Sequence, residues 1–320
     1  MPKLEKHKKE NEYSIDKCRI SNYSNRLIGN LCYIDSQILK LRNSTYNPSS
    51  FPSFEQLLHA PSVLHLAGKY GPMSGWPLTI QEFGEKQQQL NITCCTEDSV
   101  SISNLSVNTK HWLKFDIMLS IEFLKTLDFF QYLKHSDQIV LAKKSTIIIE
   151  SMIFAYTSFQ NKSACFKSPD GFYIDIQNMI DIIDVFTEGN IRKNENVLRD
   201  HLKSSQNVMG YLIQENVTKK EFILLQTIAI CDPIVDLSEE GREIIRKNRQ
   251  KYSRILLDLC LLEYGKRNGP SRFVTLISFI NLIIFYRDTF RNFMLFSKIN
   301  TPSKFSKTIG PLENAVLELY

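Results

Sequence analysis

At 320 residues the chain is long enough to bury a full core, and its 43% hydrophobic and 23% charged residues are ordinary for a globular fold. Twelve glycines and eleven prolines leave little room for the tight turns of an all-β protein, so helix is the first expectation. A net charge of +5 is a mild excess with no concentrated basic stripe, which argues against a dedicated nucleic-acid binder.

In chain order, residues 1–25 are polar and weakly patterned, and a poorly ordered extension is expected there. Leu27, Leu31, Ile34, Ile38 and Leu41 recur at helical spacing, and Asn47-Pro48-Ser49-Ser50 ends that element. SFEQLLH at 53–59 reads as one or two helical turns with Ser53 as N-cap. Residues 67–78 are dense in Gly and Pro and read as loop, and 86–106 as a polar connection.

Leu113, Ile117, Ser120, Ile121, Leu124 and Leu127 then share one face of a long helix. Ser136-Asp137 is expected to cap the next helix, which runs to about Phe159 and is apolar on nearly all sides, as a helix in the middle of a stack would be. Pro169-Asp170-Gly171 breaks the pattern and predicts a short β-hairpin at 165–175. Further helices are expected at about 176–187, 194–214, 218–231, 238–264, 270–298 and 311–320, with Gly269-Pro270 separating two of them.

The run Phe273–Tyr286 contains Asn281 and stops at Arg287, short of the roughly 18 apolar residues of a membrane span. It reads as a core helix, and no membrane association is expected. The charged start offers no signal peptide. Seven scattered cysteines include no C-x-x-C pair, so reduced thiols are expected and no metal site. The sum is an all-α domain, a three-layer antiparallel helical sandwich of about ten to twelve helices with one small hairpin, occupying residues 26–320.

Residues 122–143, EFLKTLDFFQYLKHSDQIVLAK, carry a resemblance. Glu122-Phe123, Lys125, Phe130, Leu133, Asp137-Gln138 and Lys143 are similar, in type and spacing, to the signature of nuclear hormone receptor ligand-binding domains. Asp128-Phe129 departs from the Pro-Gly of many members. The segments 41–48, 61–78, 237–256 and 269–277 resemble other parts of the domain in the divergent nematode receptors. The resemblance covers roughly residues 30–320.

That resemblance implies a receptor acting in transcriptional regulation, in the nucleus with the cytoplasm as a second compartment. Ala315-Val316-Leu317-Glu318-Leu319-Tyr320 fits the family's activation-helix pattern. Coactivator or corepressor helices of LxxLL type would dock in an apolar groove lined by Ile139, Val140, Val316 and Leu319. Lys125, with Lys143 near it, would hold the carbonyl end of such a helix and Glu318 its amide end. Each charge–terminus contact is worth about 0.5–2 kcal/mol, so the groove supplies most of the affinity and the charges set register.

A small lipophilic ligand would bias the tail helix toward its closed position. Trp112, Leu113, Asp116, Phe154 and Phe172 are the candidate pocket residues, and a buried Asp116 needs a partner. Without zinc-binding C-x-x-C pairs, direct DNA binding by this chain is not expected. A homo- or heterodimer through the 270–298 helix is implied, and the alternative role is a ligand-independent adaptor that titrates receptors or their coregulators. No enzyme is expected: Asp181 and Asp184 lack the doubled carboxylates of helical prenyl-transforming enzymes and read as a wet helix face.

Overall fold

The structure is a computed structural model describing residues 2–48, 50–73, 110, 112–167, 195–232, 236–300 and 310–317. Its helices are α1 (Pro2–Arg42), α2 (Phe54–His59), α3 (Trp112–Lys125), α4 (His135–Gln160), α5 (Glu195–Glu215) and α6 (Lys219–Ile230), then the run Glu239–Asn300 and a tail helix Pro311–Leu317. Gly265, at φ 76° and ψ 172°, breaks the 62-residue run into α7 (239–264) and α8 (266–300); the tail helix is α9. Short 3-10 turns lie at Val63–Leu66 and Asp128–Tyr132.

The middle of the stack is α4 and α6. α4 packs against α3, α5, α6, α9 and the 239–300 pair, while α6 packs against α1, α4 and that same pair. Every residue from Glu221 to Ile230 is buried, so α6 has no wet face. α1 and α3 cover one side and α5 with the 239–300 pair the other, which is the layered all-α architecture expected.

Two features differ from expectation. α1 starts at Pro2, well before Arg26, and residue 25 marks no break in it. Residues 3–25 contain neither Gly nor Pro and are rich in Lys and Glu, and Pro2 can occupy the first turn without losing a hydrogen bond. The break between α7 and α8 falls at Gly265, not Gly269-Pro270. Pro270 lies within α8, five residues beyond Gly265, rather than at the break.

Averaged hydropathy, unlike the count of uninterrupted apolar residues, also makes the 239–296 stretch long and apolar enough to cross a membrane by length and composition. Here α8 packs along α5 as part of the stack. The helix expected at 176–187 lies outside the described residues, as does most of the expected hairpin. Just before them, Phe166 is buried against Phe154 and Tyr286, with ring centroids 5.2 and 5.1 Å apart.

Candidate functional site

The signature segment 122–143 occupies the junction of α3 and α4, and its polar residues hold neighbouring segments in place. Glu122, 1% exposed at its side chain, accepts from Ser62 Oγ (2.6 Å) and Val63 N (3.2 Å) and pairs with Lys125 (2.6 Å). Gln138 Nε2 donates to the Phe130 carbonyl at 2.9 Å, tying α4 to the turn before it. Asp137 does not cap its own helix. Its carboxylate accepts from Ser238 N (2.9 Å) and Ser238 Oγ (2.6 Å), fixing the residue that opens α7.

Lys125 ends α3. Its Nζ donates to the carbonyls of Leu57 (3.1 Å) and Ala60 (3.0 Å), the last turn and C-cap of α2. A helix end carries unsatisfied carbonyls and partial negative charge, so a part-buried ammonium is suited to it. α2 itself starts with a capping box: Ser53 Oγ accepts from Gln56 N (3.3 Å) and Gln56 Oε1 accepts from Ser53 N (2.9 Å). Phe54, Leu57 and Leu58, at positions i, i+3 and i+4, are 3%, 3% and 8% exposed. The helix packs on α3 and on α9, and its last residue, His59, lies against His135 at the start of α4, with centroids 4.7 Å apart.

The tail helix α9 buries Leu312 and Val316 and packs on α3, α4, α2 and the 239–300 pair. Glu313 accepts from Gly310 N (3.1 Å) and pairs with Lys114, near the start of α3, at 3.7 Å; burial raises its carboxyl above the usual range. Ile139, Val140 and Lys143 are half-buried along α4. Glu318 and Leu319 lie outside the described residues. α2 thus docks at the end of α3 through Lys125 and also packs on α9, while Ile139 and Val140 lie on the neighbouring α4.

Four of the five candidate pocket residues are described. Trp112, Asp116 and Phe154 meet around Arg42, the last residue of α1. Asp116 binds the guanidinium twice, Nε and the Nη2 atom each at 2.8 Å, with both side chains buried. The Arg42 Cζ sits 5.1 Å from the Trp112 ring and 6.0 Å from that of Phe154. Leu113 is half-buried against the core, and Phe172 lies outside the described residues.

Lys110 donates to the Arg42 carbonyl at 2.8 Å, and burial, then the neighbouring Arg42 charge, pushes its ammonium down to about 7. Glu150 on α4 faces the same cluster; burial foremost, with the Asp116 charge, raises its carboxyl to about 8. Arg42 was not legible as the partner of Asp116, nor Lys110 as the residue that holds the end of α1 beside it. Glu150 left a signal, being the lone acid in the apolar stretch 145–156.

A layered helical stack, a signature segment joining α3 to α4, and a short tail helix beside their junction define the ligand-binding domain type of nuclear receptor. A family profile described as the ligand-binding domain of nuclear hormone receptor matches residues 105–300, more than half of the chain. The chain belongs to that family, whose members are in general ligand-regulated transcription factors and not enzymes.

Nuclear hormone receptor family member nhr-60 of Caenorhabditis elegans is 26% identical over 258 residues, covering 79% of this chain and 52% of that protein. Member nhr-154 of the same organism is 32% identical over 168 residues, 52% of this chain and 34% of that one. Member nhr-27 is 27% identical over 298 residues, 82% and 79% respectively. The chain therefore spans about half the length of the first and about a third of the second.

Proposed function

We propose that this domain serves transcriptional regulation in the nucleus by recruiting coregulator helices of LxxLL type to the cleft between α3, α4 and the tail helix. One observation carries the reading: at this place Lys125 donates to two carbonyls at the end of a short amphipathic helix. A coregulator helix offers the same chemistry, apolar side chains on one face and a carbonyl end for a cation. Half-buried Ile139 and Val140 supply apolar surface for it, Val316 of the docked tail helix lies in the core, and Lys143 and Glu318 offer further charge.

The test is fluorescence anisotropy with a labelled LxxLL peptide. Lys143→Ala and Glu318→Ala are each expected to weaken binding several-fold with helical content unchanged; unchanged affinity in both sinks the reading. Lys125 is the poorer first probe. It already holds α2, so its replacement loosens the resident helix as well as any incoming one.

A lipophilic ligand would act by stabilising the docked tail helix. One observation favours the second reading, an adaptor that needs no ligand: Arg42 enters the space between Trp112 and Phe154 and satisfies Asp116. Native mass spectrometry of protein from its own cells separates the two. A retained lipid-like mass supports the ligand, and a bare chain supports the adaptor.

A further inference from the structure

We infer that α2 is a built-in competitor for the coregulator cleft, an FxxLL helix that must leave before a partner's helix can enter. The inference rests on the coregulator reading above and names how that site is regulated. Its basis is the match between what α2 presents and what the cleft would take from outside. Phe54, Leu57 and Leu58 have the i, i+3, i+4 spacing of an LxxLL face, and all three are buried. The polarity also matches: the carbonyl end, Leu57 and Ala60, lies on Lys125. The far side is closed by α9, whose Glu313 is anchored to Lys114. Lys114 and Lys125 are eleven residues apart on one helix, about 16 Å at 1.5 Å per residue, and the six residues of α2 span about 9 Å. One short helix fits that length, and two do not.

α2 is also built to come and go. Six residues are too few to hold a helix alone, so it is helical only while docked and capped. Pro52 and Pro61 flank it, which isolates it from the chain on either side. Downstream, Ser62 and Val63 are held by Glu122, which gives a fixed pivot from which the helix can swing. Because α2 is part of the same chain, it competes at a high effective concentration. A cleft free only one-tenth of the time binds an outside helix about ten-fold more weakly than its intrinsic affinity.

The experiment compares a labelled LxxLL peptide on the whole chain and on Leu57→Ala/Leu58→Ala, with circular dichroism to check the fold. The double variant is expected to bind at least ten-fold more tightly, and adding Lys125→Ala to it should reverse most of the gain. Ser53→Ala, which removes only the exposed cap of α2, is the milder second variant and should tighten binding a few-fold. Hydrogen exchange at residues 54–60 should speed up as peptide saturates the unaltered protein.

Tight binding by the unaltered chain with no gain in either variant, or exchange at 54–60 unmoved at saturation, overturns the competitor while leaving the coregulator cleft in place. No binding by any variant overturns both.

Discussion

His201 is the residue whose burial has the plainest consequence in solution. It is 1% exposed, its ring lies parallel to Phe293 at 5.6 Å and near Tyr286 and Phe290, and its Nδ1 has no partner among the described residues. Burial pushes its pKa down to about 4. The unfolded chain therefore binds a proton that the folded chain refuses between about pH 6.5 and 4. Stability is fully present above that window and falls as pH drops through it, by about 2 kcal/mol at pH 5 relative to pH 7. His201→Phe is expected to remove this component. Urea midpoints of the two proteins, measured from pH 7.5 to 4.5, should converge or cross as pH falls; parallel curves would contradict the assignment.

Asp116 illustrates what a single residue discloses in advance. A buried carboxylate must find a partner, but its neighbours in sequence leave open whether Asp116 faces inward or outward. The partner lies 74 positions earlier, at the end of a helix whose packing angle no local pattern specifies. The buried pair is held by two 2.8 Å contacts, so loss of either member would strand the other.

At the scale of elements, helix positions were legible and their attachments were not. The apolar spacing of 112–125, 135–160, 195–215 and 219–230 marks each helix to within a few residues. The capping role expected of Asp137 belongs to a different helix, because its carboxylate reaches Ser238, 101 residues away. For α2 the Ser53 cap was legible, and the role of the apolar triplet Phe54, Leu57 and Leu58 was not. Only the position of Lys125 over its carbonyls makes it a candidate occupant of the cleft.

The corner between α7 and α8 divides its work between two glycines. Gly265 supplies the positive φ that turns the chain. Gly269 allows the returning helix to close on the outgoing one: a Cβ there would lie 2.8 Å from the Cys260 carbonyl oxygen and 2.9 Å from Leu261 Cα. Both contacts are backbone, so neither can yield by a rotamer change. Gly269→Ala is expected to destabilise the domain by about 1–3 kcal/mol despite its gain in helix propensity, as overpacking does. A lowered urea midpoint with unchanged m-value would show it; an unchanged or raised midpoint would mean that the corner opens freely.

At the scale of the whole molecule, an uncharged strip lies uncovered on the helix from which dimerisation was expected. Along α8 the outward positions are Val274, Ser278, Asn281 and Phe285, an uncharged line three turns long. Val274 is 66% exposed and Phe285 53%, while Leu276, Phe279, Ile280 and Ile283 face the core at 4% or less. Scattered exposed apolar residues need no explanation, but Val274 and Phe285 share one uncharged line opposite the apolar core face. The same double-sidedness gives this stretch enough average hydropathy to resemble a membrane span. A second copy, or a related receptor, crossing along the strip would cover it without desolvating a charge, which favours association. Phe285→Glu and Val274→Glu are expected to shift sedimentation from dimer to monomer with the unfolding midpoint of the isolated subunit unchanged, since neither side chain contributes to its core. If both variants sediment as the unaltered protein does, the strip is not the homodimer contact.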